Sequence, residues 1–383
     1  MIYYLKKLIQ VKSFTFEKYP QKKIVLFNNY TYNNLKDLLK NENYITIDSS
    51  LNKLNLRIIF KLILKFKLKT TYYFSEVIKE INPKLVLTVI DQNSNFWRLK
   101  KIVNKSNIKF AIIQNGWRED PFVDITNGYD NFLIDEAFVF NSFIGDLYKK
   151  RLKCNYLKLG SVKNNFYFDD SGSNKIKDSI LFINQINPYK KKADEPTFTR
   201  LNENYSWSQF YKADFLVLNY LNKYCKKKNL KLFILGRNYN NRVKEKNIFN
   251  ELLKNENVSY IENLSVNTGY SQVSNFDLVV NLDSTLGYEV LIKSTIKMCC
   301  FSIRGSVLNL GTKDMNFGWP GYFEDEGSFW TNKYDEKKFD DIMNNNFYMD
   351  KSKWREKNKN INESLMSYSK NNQILKEYLS KIS

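Results

Sequence analysis

The sequence predicts an α/β protein made of two consecutive open-sheet halves, and three observations carry that prediction. Short apolar runs alternate with longer helical stretches along the 383 residues. Several runs are apolar throughout rather than alternating, as strands buried on both faces of a parallel sheet must be. A polar, glycine-bearing stretch near the middle then divides the pattern in two. The length suits two domains of roughly 100 to 200 residues, each able to bury a core. Hydrophobic residues at 43% and aromatics at 16% exclude a disordered chain.

In the first half the strand runs are Lys22–Asn29, Tyr44–Asp48, Lys84–Asp91, Lys109–Gly116, Glu136–Asn141 and Tyr156–Ser161. Asp178–Gln185, Leu230–Arg237, Val258–Asn263, Asp277–Ser284 and Lys297–Ile303 repeat the theme in the second. Asn164–Lys177 reads as an interdomain linker, and Pro188–Asn204 as a long charged loop of the kind that is usually functional or mobile. From Asp335 onward the chain reads as helical. The expected layout is two Rossmann-like domains facing one another across a cleft, over residues 1–160 and 161–340, with a helical tail over 341–383 that packs back across them.

Composition removes several chemistries. There is no histidine, so a Ser-His-Asp hydrolase, a Cys-His protease, an HExxH zinc site and a histidine general base are all excluded. The four cysteines, Cys154, Cys225, Cys299 and Cys300, show no metal spacing and read as reduced thiols of a cytoplasmic protein. Lys and Arg exceed Asp and Glu by 60 to 40, a net charge of +20. Lys, Asn, Ile, Tyr and Phe, the residues AT-rich codons supply, crowd the chain, so that charge is discounted as a sign of a polyanion partner. No zinc-finger spacing, RNP-type signature or arginine-rich helix is present, and no nucleic-acid partner is expected.

The apolar run at the N-terminus is too short and lysine-broken for a signal peptide or a membrane span. Leu54–Lys69 is the more informative stretch, with Leu56, Ile59, Phe60, Leu62, Ile63 and Phe66 near helical spacing between basic residues. It reads either as a domain helix packed on a sheet or as a helix lying on an anionic membrane face.

In open parallel sheets ligands bind beyond the carboxyl ends of the strands, and four such ends stand out. The run to Ile90 ends in Asp91-Gln92-Asn93, where Asp91 is either a helix N-cap or a general base or nucleophile. The run to Ile113 ends in Gln114-Asn115-Gly116-Trp117-Arg118-Glu119-Asp120, a cluster whose amides suit sugar hydroxyls. Leu235 is followed by Gly236-Arg237, a guanidinium able to fork onto a phosphate or to sit in solvent. Leu282 leads into Asp283-Ser284-Thr285-Leu286-Gly287-Tyr288-Glu289, where Ser284 and Thr285 open a helix and so present an anion site. An ordinary N-cap has the same geometry. Glu289 could accept from ribose hydroxyls.

At these segments, Thr88–Phe96, Ile112–Asp120, Ile234–Arg237, Asn281–Glu289, Phe317–Pro320 and Gly327–Trp330, the chain resembles the bacterial surface-carbohydrate biosynthesis proteins, lipopolysaccharide or O-antigen glycosyltransferases with a GT-B-like layout. The resemblance spans the chain from its first strand to about Trp330. It implies an acceptor domain first and a nucleotide-sugar domain second, with donor phosphates near Ser284, Thr285 and the helix they begin, so that Gly236, Arg237, Leu286, Gly287 and Glu289 are the other expected donor- and nucleotide-binding residues. Asn93, Gln114, Asn115, Gly116 and Arg118 would then meet the acceptor sugar.

More distantly the chain is similar to transferases using CMP-activated Kdo or sialic-acid-type sugars, whose His-Pro element is replaced here by Gly236-Arg237; a UDP-type donor is the other expectation. No convincing DxD is present, since Glu324-Asp325-Glu326 lies in a late loop, so transfer without a metal or any cofactor beyond the nucleotide-sugar substrate is expected. Asp91 would be the base if the reaction inverts and the nucleophile if it retains, with Glu119 and Asp120 in reserve. The expected acceptor is lipid-linked or an oligosaccharide, met by a cytoplasmic protein in peripheral contact with the anionic inner membrane. A nucleotide-sugar epimerase and a non-catalytic binding subunit of an assembly complex are the competing readings.

Overall fold

The computed structural model describes residues 11–40, 42–118, 132–167, 175–188, 194–237, 240, 242–264, 268–293, 296–311, 314–315 and 318–382. The chain forms two compact units, one of residues 1–115, 123–162 and 369–383, the other of residues 116–122 and 163–368.

The first unit holds strands β1 (Ser13–Thr15), β2 (Ile24–Phe27), β3 (Tyr44–Ile47), β4 (Lys53–Asn55), β5 (Leu85–Thr88), β6 (Lys109–Ile113), β7 (Glu136–Val139) and β8 (Asn155–Lys158). Six of them form one parallel sheet in the order β3-β2-β5-β6-β7-β8, with β1 and β4 a separate parallel pair. The second unit holds β9 (Ser179–Ile183), β10 (Pro196–Arg200), β11 (Glu203–Ser206), β12 (Lys231–Leu235), β13 (Val258–Ile261), β14 (Leu278–Asn281), β15 (Met298–Phe301) and β16 (Trp330–Thr331). Its parallel sheet runs β13-β12-β9-β14-β15-β16. Counted along the chain, this is the 3-2-1-4-5-6 order of dinucleotide-binding sheets, with its topological switch between β9 and β14. In the first unit the order reverses between β2 and β5.

Every run read as a strand is one. The all-apolar runs are central: each residue of β5, β9, β14 and β15 is buried, and such burial contributes about 1.5–3 kcal/mol per large aliphatic side chain. The hairpin β10–β11 occupies the second half of the expected loop Pro188–Asn204 and runs on to Ser206. Its two-residue turn puts Leu201 and Asn202 at φ 50° and 65°, the left-handed pair that a type I′ turn needs and that Asn-Gly usually signals.

Two boundaries differ from expectation. The first residues of the presumed linker form the helix Val162–Tyr167, with Asn164 and Asn165 buried and the Asn164 amide donating to the Glu289 carbonyl at 2.8 Å. The helices of the expected tail are divided between the two units. Helices Glu336–Phe347 and Lys351–Leu365 belong to the second unit, where Phe339 stacks on Phe301 at 4.1 Å. Gln373–Ile382 belongs to the first, where Leu375, Leu379 and Ile382 join the core of Leu26, Leu87, Ala111 and Phe138.

Asparagine does much of the capping. Asn55, Asn93 and Asn141 accept from first-turn amides. Asn82, Asn104 and Asn229 end helices in the left-handed conformation more often given to glycine.

Candidate functional site

Polar groups converge at the switch point of the second unit. β14 ends at Asn281, whose side chain closes the following turn: its Oδ1 accepts the Ser284 N–H at 3.0 Å and its Nδ2 donates to the Ser284 carbonyl at 3.2 Å. A Cβ on Gly287 would collide with that Asn281 side chain, so glycine is required there. The helix Thr285–Lys293 starts from this turn. Ser284, Thr285 and Leu286 stay partly exposed, while Gly287, Tyr288 and Glu289 are buried. The Thr285 Oγ1 accepts the Trp117 N–H at 3.2 Å, and the buried Trp117 ring meets Tyr288 edge-on at 5.3 Å. Leu286 fills the space beside Gly269, where a Cβ would come within 2.8 Å of its Cδ2.

Arg237 arrives from two strands away. Gly236 continues β12 against the Ile261 carbonyl, and a Cβ there would strike the Tyr260 hydroxyl. The Arg237 N–H donates to Glu245 Oε1 at 2.6 Å, and its guanidinium donates to the Gln185 carbonyl at 2.6 Å. Gln185 follows β9, so the guanidinium is carried from the end of β12 over the end of β9, the strand that flanks β14. Glu245 is fully buried and also accepts from Asn184.

Asp283, beside the helix start, would repel an anion if it stood alone. It is instead held by Arg304, whose Nε and Nη2 donate to its two oxygens at 2.7 and 3.3 Å. The guanidinium, 1% exposed, also pairs with Asp214 at 2.9 Å and lies 4.3 Å from the centre of the Phe210 ring. Burial pushes the Asp214 carboxyl up to about 6, with Arg304 only partly offsetting it. Burial alone would lower Arg304, but Asp214 and Asp283 outweigh it and hold the guanidinium above its usual value.

Other expected site residues are placed differently. Asp91 is fully buried: the Tyr148 hydroxyl donates to its carboxylate, and the Trp97 indole donates to its carbonyl at 2.9 Å. The expectation of an outward-facing carboxylate is corrected, because the chain after β5 turns inward. The N-cap is Asn93, whose Oδ1 accepts from Asn95 and Phe96 at 3.1 and 3.2 Å. Gln114 is also buried, accepting the Phe140 N–H at 2.8 Å. Asn115 donates to the Tyr30 hydroxyl at 3.0 Å.

In the second unit, a Cβ on Gly116 would lie 2.9 Å from Arg118 Nη1, which itself donates to the Trp117 carbonyl at 2.8 Å. Glu289 is corrected in the same sense as Asp91. It is buried and accepts the Tyr270 hydroxyl at 2.6 Å, so it is not open to a ribose. Glu119 and Asp120 lie outside the described residues.

No group of three or more His, Cys, Asp or Glu side chains that could hold a metal occurs among the described residues. In the acidic run, Glu326 pairs with Lys338 at 2.9 Å and Asp325 accepts from Asn332 at 3.2 Å. Sequence reasoning missed Trp117, Asn281, Glu245 and Arg304. Arg304 follows the apolar run of β15 as Arg237 follows β12, so the strand-end rule would have found it.

The model of a family described as "putative O-antigen biosynthesis protein" matches residues 111–383. No curated protein matches the chain by sequence. In fold the chain is similar to the wall teichoic acid polymerase TagF, with 13% identity over 94% of this chain and 89% of that one and a TM-score of 0.52. UDP-GlcNAc 2-epimerase from Methanocaldococcus jannaschii is similar at 10% identity over 96% and 99%, TM-score 0.51. Sucrose-phosphate synthase from Thermosynechococcus elongatus is similar at 10% over 94% and 98%, TM-score 0.51. These likenesses are likenesses of fold, the GT-B-like α/β architecture of two Rossmann-like units.

Proposed function

Since the chain belongs to this O-antigen biosynthesis family, we propose that it is a glycosyltransferase of surface-polysaccharide synthesis, moving a sugar from a nucleotide-activated donor, CMP-Kdo/nonulosonate-type or UDP-type. The acceptor is a lipid-linked or oligosaccharide chain met at the inner membrane. The observation that carries the reading is the contact of Arg237 with the end of β9, the strand that pairs with β14, from whose end the Thr285 helix starts. There a departing phosphate would find first-turn amides, two hydroxyls and a permanent positive charge, with Asp283 already paired to Arg304. That set can bear the leaving-group charge without a metal. Asp91 is not assigned the base's role, because its carboxylate has no exposed surface.

The likeness in fold to a UDP-GlcNAc 2-epimerase supports a second reading, epimerisation of a nucleotide sugar on the same scaffold. Incubation with CMP-, UDP-, GDP- and CDP-linked sugars, following thermal shift, nucleotide release and the configuration of the recovered sugar, separates the two. One donor should stabilise the protein, and Arg237→Gln should weaken that donor roughly tenfold to a hundredfold, the worth of a charge-assisted contact. Stabilisation by none of the donors would overturn both readings.

A further inference from the structure

The first unit carries an apolar surface that the donor site does not use. The helix Leu56–Leu64 is held to its unit by buried Ile58 and Leu62. Arg57 and Lys61 pair with Glu80 and Glu76 of the neighbouring helix Thr70–Ile81. Those two charges are therefore committed within the fold, which changes the simple picture of a basic helix lying on a membrane. Phe60, Ile63, Leu64, Phe66 and Leu68 are left in water, Leu64 82% exposed and Phe66 94%. Alternating with them are exposed Lys65, Lys67 and Lys69, and no acidic residue occurs between Asp48 and Glu76. β1, which packs against this helix, adds exposed Phe14, and the residue just after it adds exposed Phe16.

The backbone at Phe66 adds a second, independent observation. The Lys67 N–H donates to the Leu62 carbonyl at 2.9 Å and the Phe66 N–H to the Ile63 carbonyl at 3.0 Å, the paired bonds of a Schellman helix end. The left-handed position of that motif favours glycine, and here it holds Phe66 at φ 52°. Three other helices of this chain end on asparagine in that conformation. A phenylalanine that is strained and almost wholly solvated contributes nothing to the fold that Gly or Asn would not supply better.

We propose that Phe60 to Lys69, with Phe14 and Phe16, forms a wedge that seats the first unit on an anionic lipid bilayer. The rings and leucines enter the headgroup–acyl boundary and the lysines meet the phosphates. No helix among the described residues is long and apolar enough to cross a membrane, so the contact is one of surface insertion. The inference deepens the functional reading by naming where a lipid-linked acceptor is met, and it rests on that reading for its purpose.

The test is co-sedimentation of the full chain with phosphatidylcholine vesicles, with and without phosphatidylglycerol. The protein should bind the anionic vesicles, more weakly as salt rises. Phe66→Gly should keep or raise the melting temperature while lowering partitioning about tenfold, and adding Leu64→Ser should abolish it. No binding of the unmodified protein to phosphatidylglycerol vesicles, or full binding by the double variant, overturns the proposal. Donor-induced thermal shift, measured on the same proteins without vesicles, should be unchanged by both substitutions. Its absence in the unmodified chain would count against the transferase reading and leave the vesicle result standing.

Discussion

The ends of β5 and β14 carry the same kind of sequence, an apolar strand running into an acid, small polar residues and a helix, yet the folded chain uses them in opposite ways. After β5 the acid is buried, with the Tyr148 hydroxyl donating to its carboxylate, and the cap passes to Asn93. After β14 the acid is also buried, but a guanidinium shared with Asp214 holds it, and Ser284 and Thr285 remain at the surface with Arg237 brought to the adjoining strand end. Beside a phosphate, an uncompensated aspartate would cancel the helix dipole that attracts it.

The largest way to break that contrast is to remove the brace. Arg304→Met would strand Asp214 and Asp283 in the interior and should cost about 3–5 kcal/mol, read from denaturant unfolding at neutral pH. The same triad sets a pH signature. Because burial raises Asp214 from 3.8 to about 6, the folded chain holds that proton more tightly than the unfolded chain. Stability from this group therefore falls as pH rises from about 4 to about 6 and is level above. Measured against Asp214→Asn, the unmodified protein should lose up to about 3 kcal/mol across that window. A difference that stays flat would mean that Arg304 offsets the burial of Asp214 in full.

The strands were legible in the sequence because burial on both faces leaves an unbroken apolar run, as in Leu278–Val280, that few other environments demand. The hairpin was not, since Leu201 and Asn202 take left-handed angles without the Asn-Gly signal. Ser284, Thr285, Gly287 and Arg237 were legible as strand-end residues. The direction of each side chain was not: Asp91 and Glu289 turn inward because Tyr148 and Tyr270, distant in sequence, supply their donors. Arg304 stabilises the site through a partner that sequence spacing does not reveal. The tail divided because Leu375, Leu379 and Ile382 match the apolar face of one sheet, while Phe339 stacks in the other core.

A smaller change would sharpen the contrast at the rim itself. Gly287→Ala should gain about 1 kcal/mol of helix propensity but force the Asn281 side chain out of the turn it closes. The net loss should be about 2–3 kcal/mol, with donor-induced thermal shift reduced in parallel because the turn that sets the Ser284 and Thr285 hydroxyls moves. If that shift persists at full size, the Asn281 turn does not shape the anion site.

The mildest prediction concerns β5. Tyr148→Phe removes the hydroxyl that donates to the Asp91 carboxylate and should cost about 1–2 kcal/mol in unfolding free energy, the usual price of an unmade buried hydrogen bond to a charged group. If Asp91 is an internal anchor, nucleotide release from the preferred donor should be unaltered in Tyr148→Phe and in Asp91→Asn once each is assayed well below its melting temperature. A collapse of turnover in Asp91→Asn, with stability retained, would return the carboxylate to the reacting groups. The two strand ends would then differ in accessibility alone and no longer in purpose.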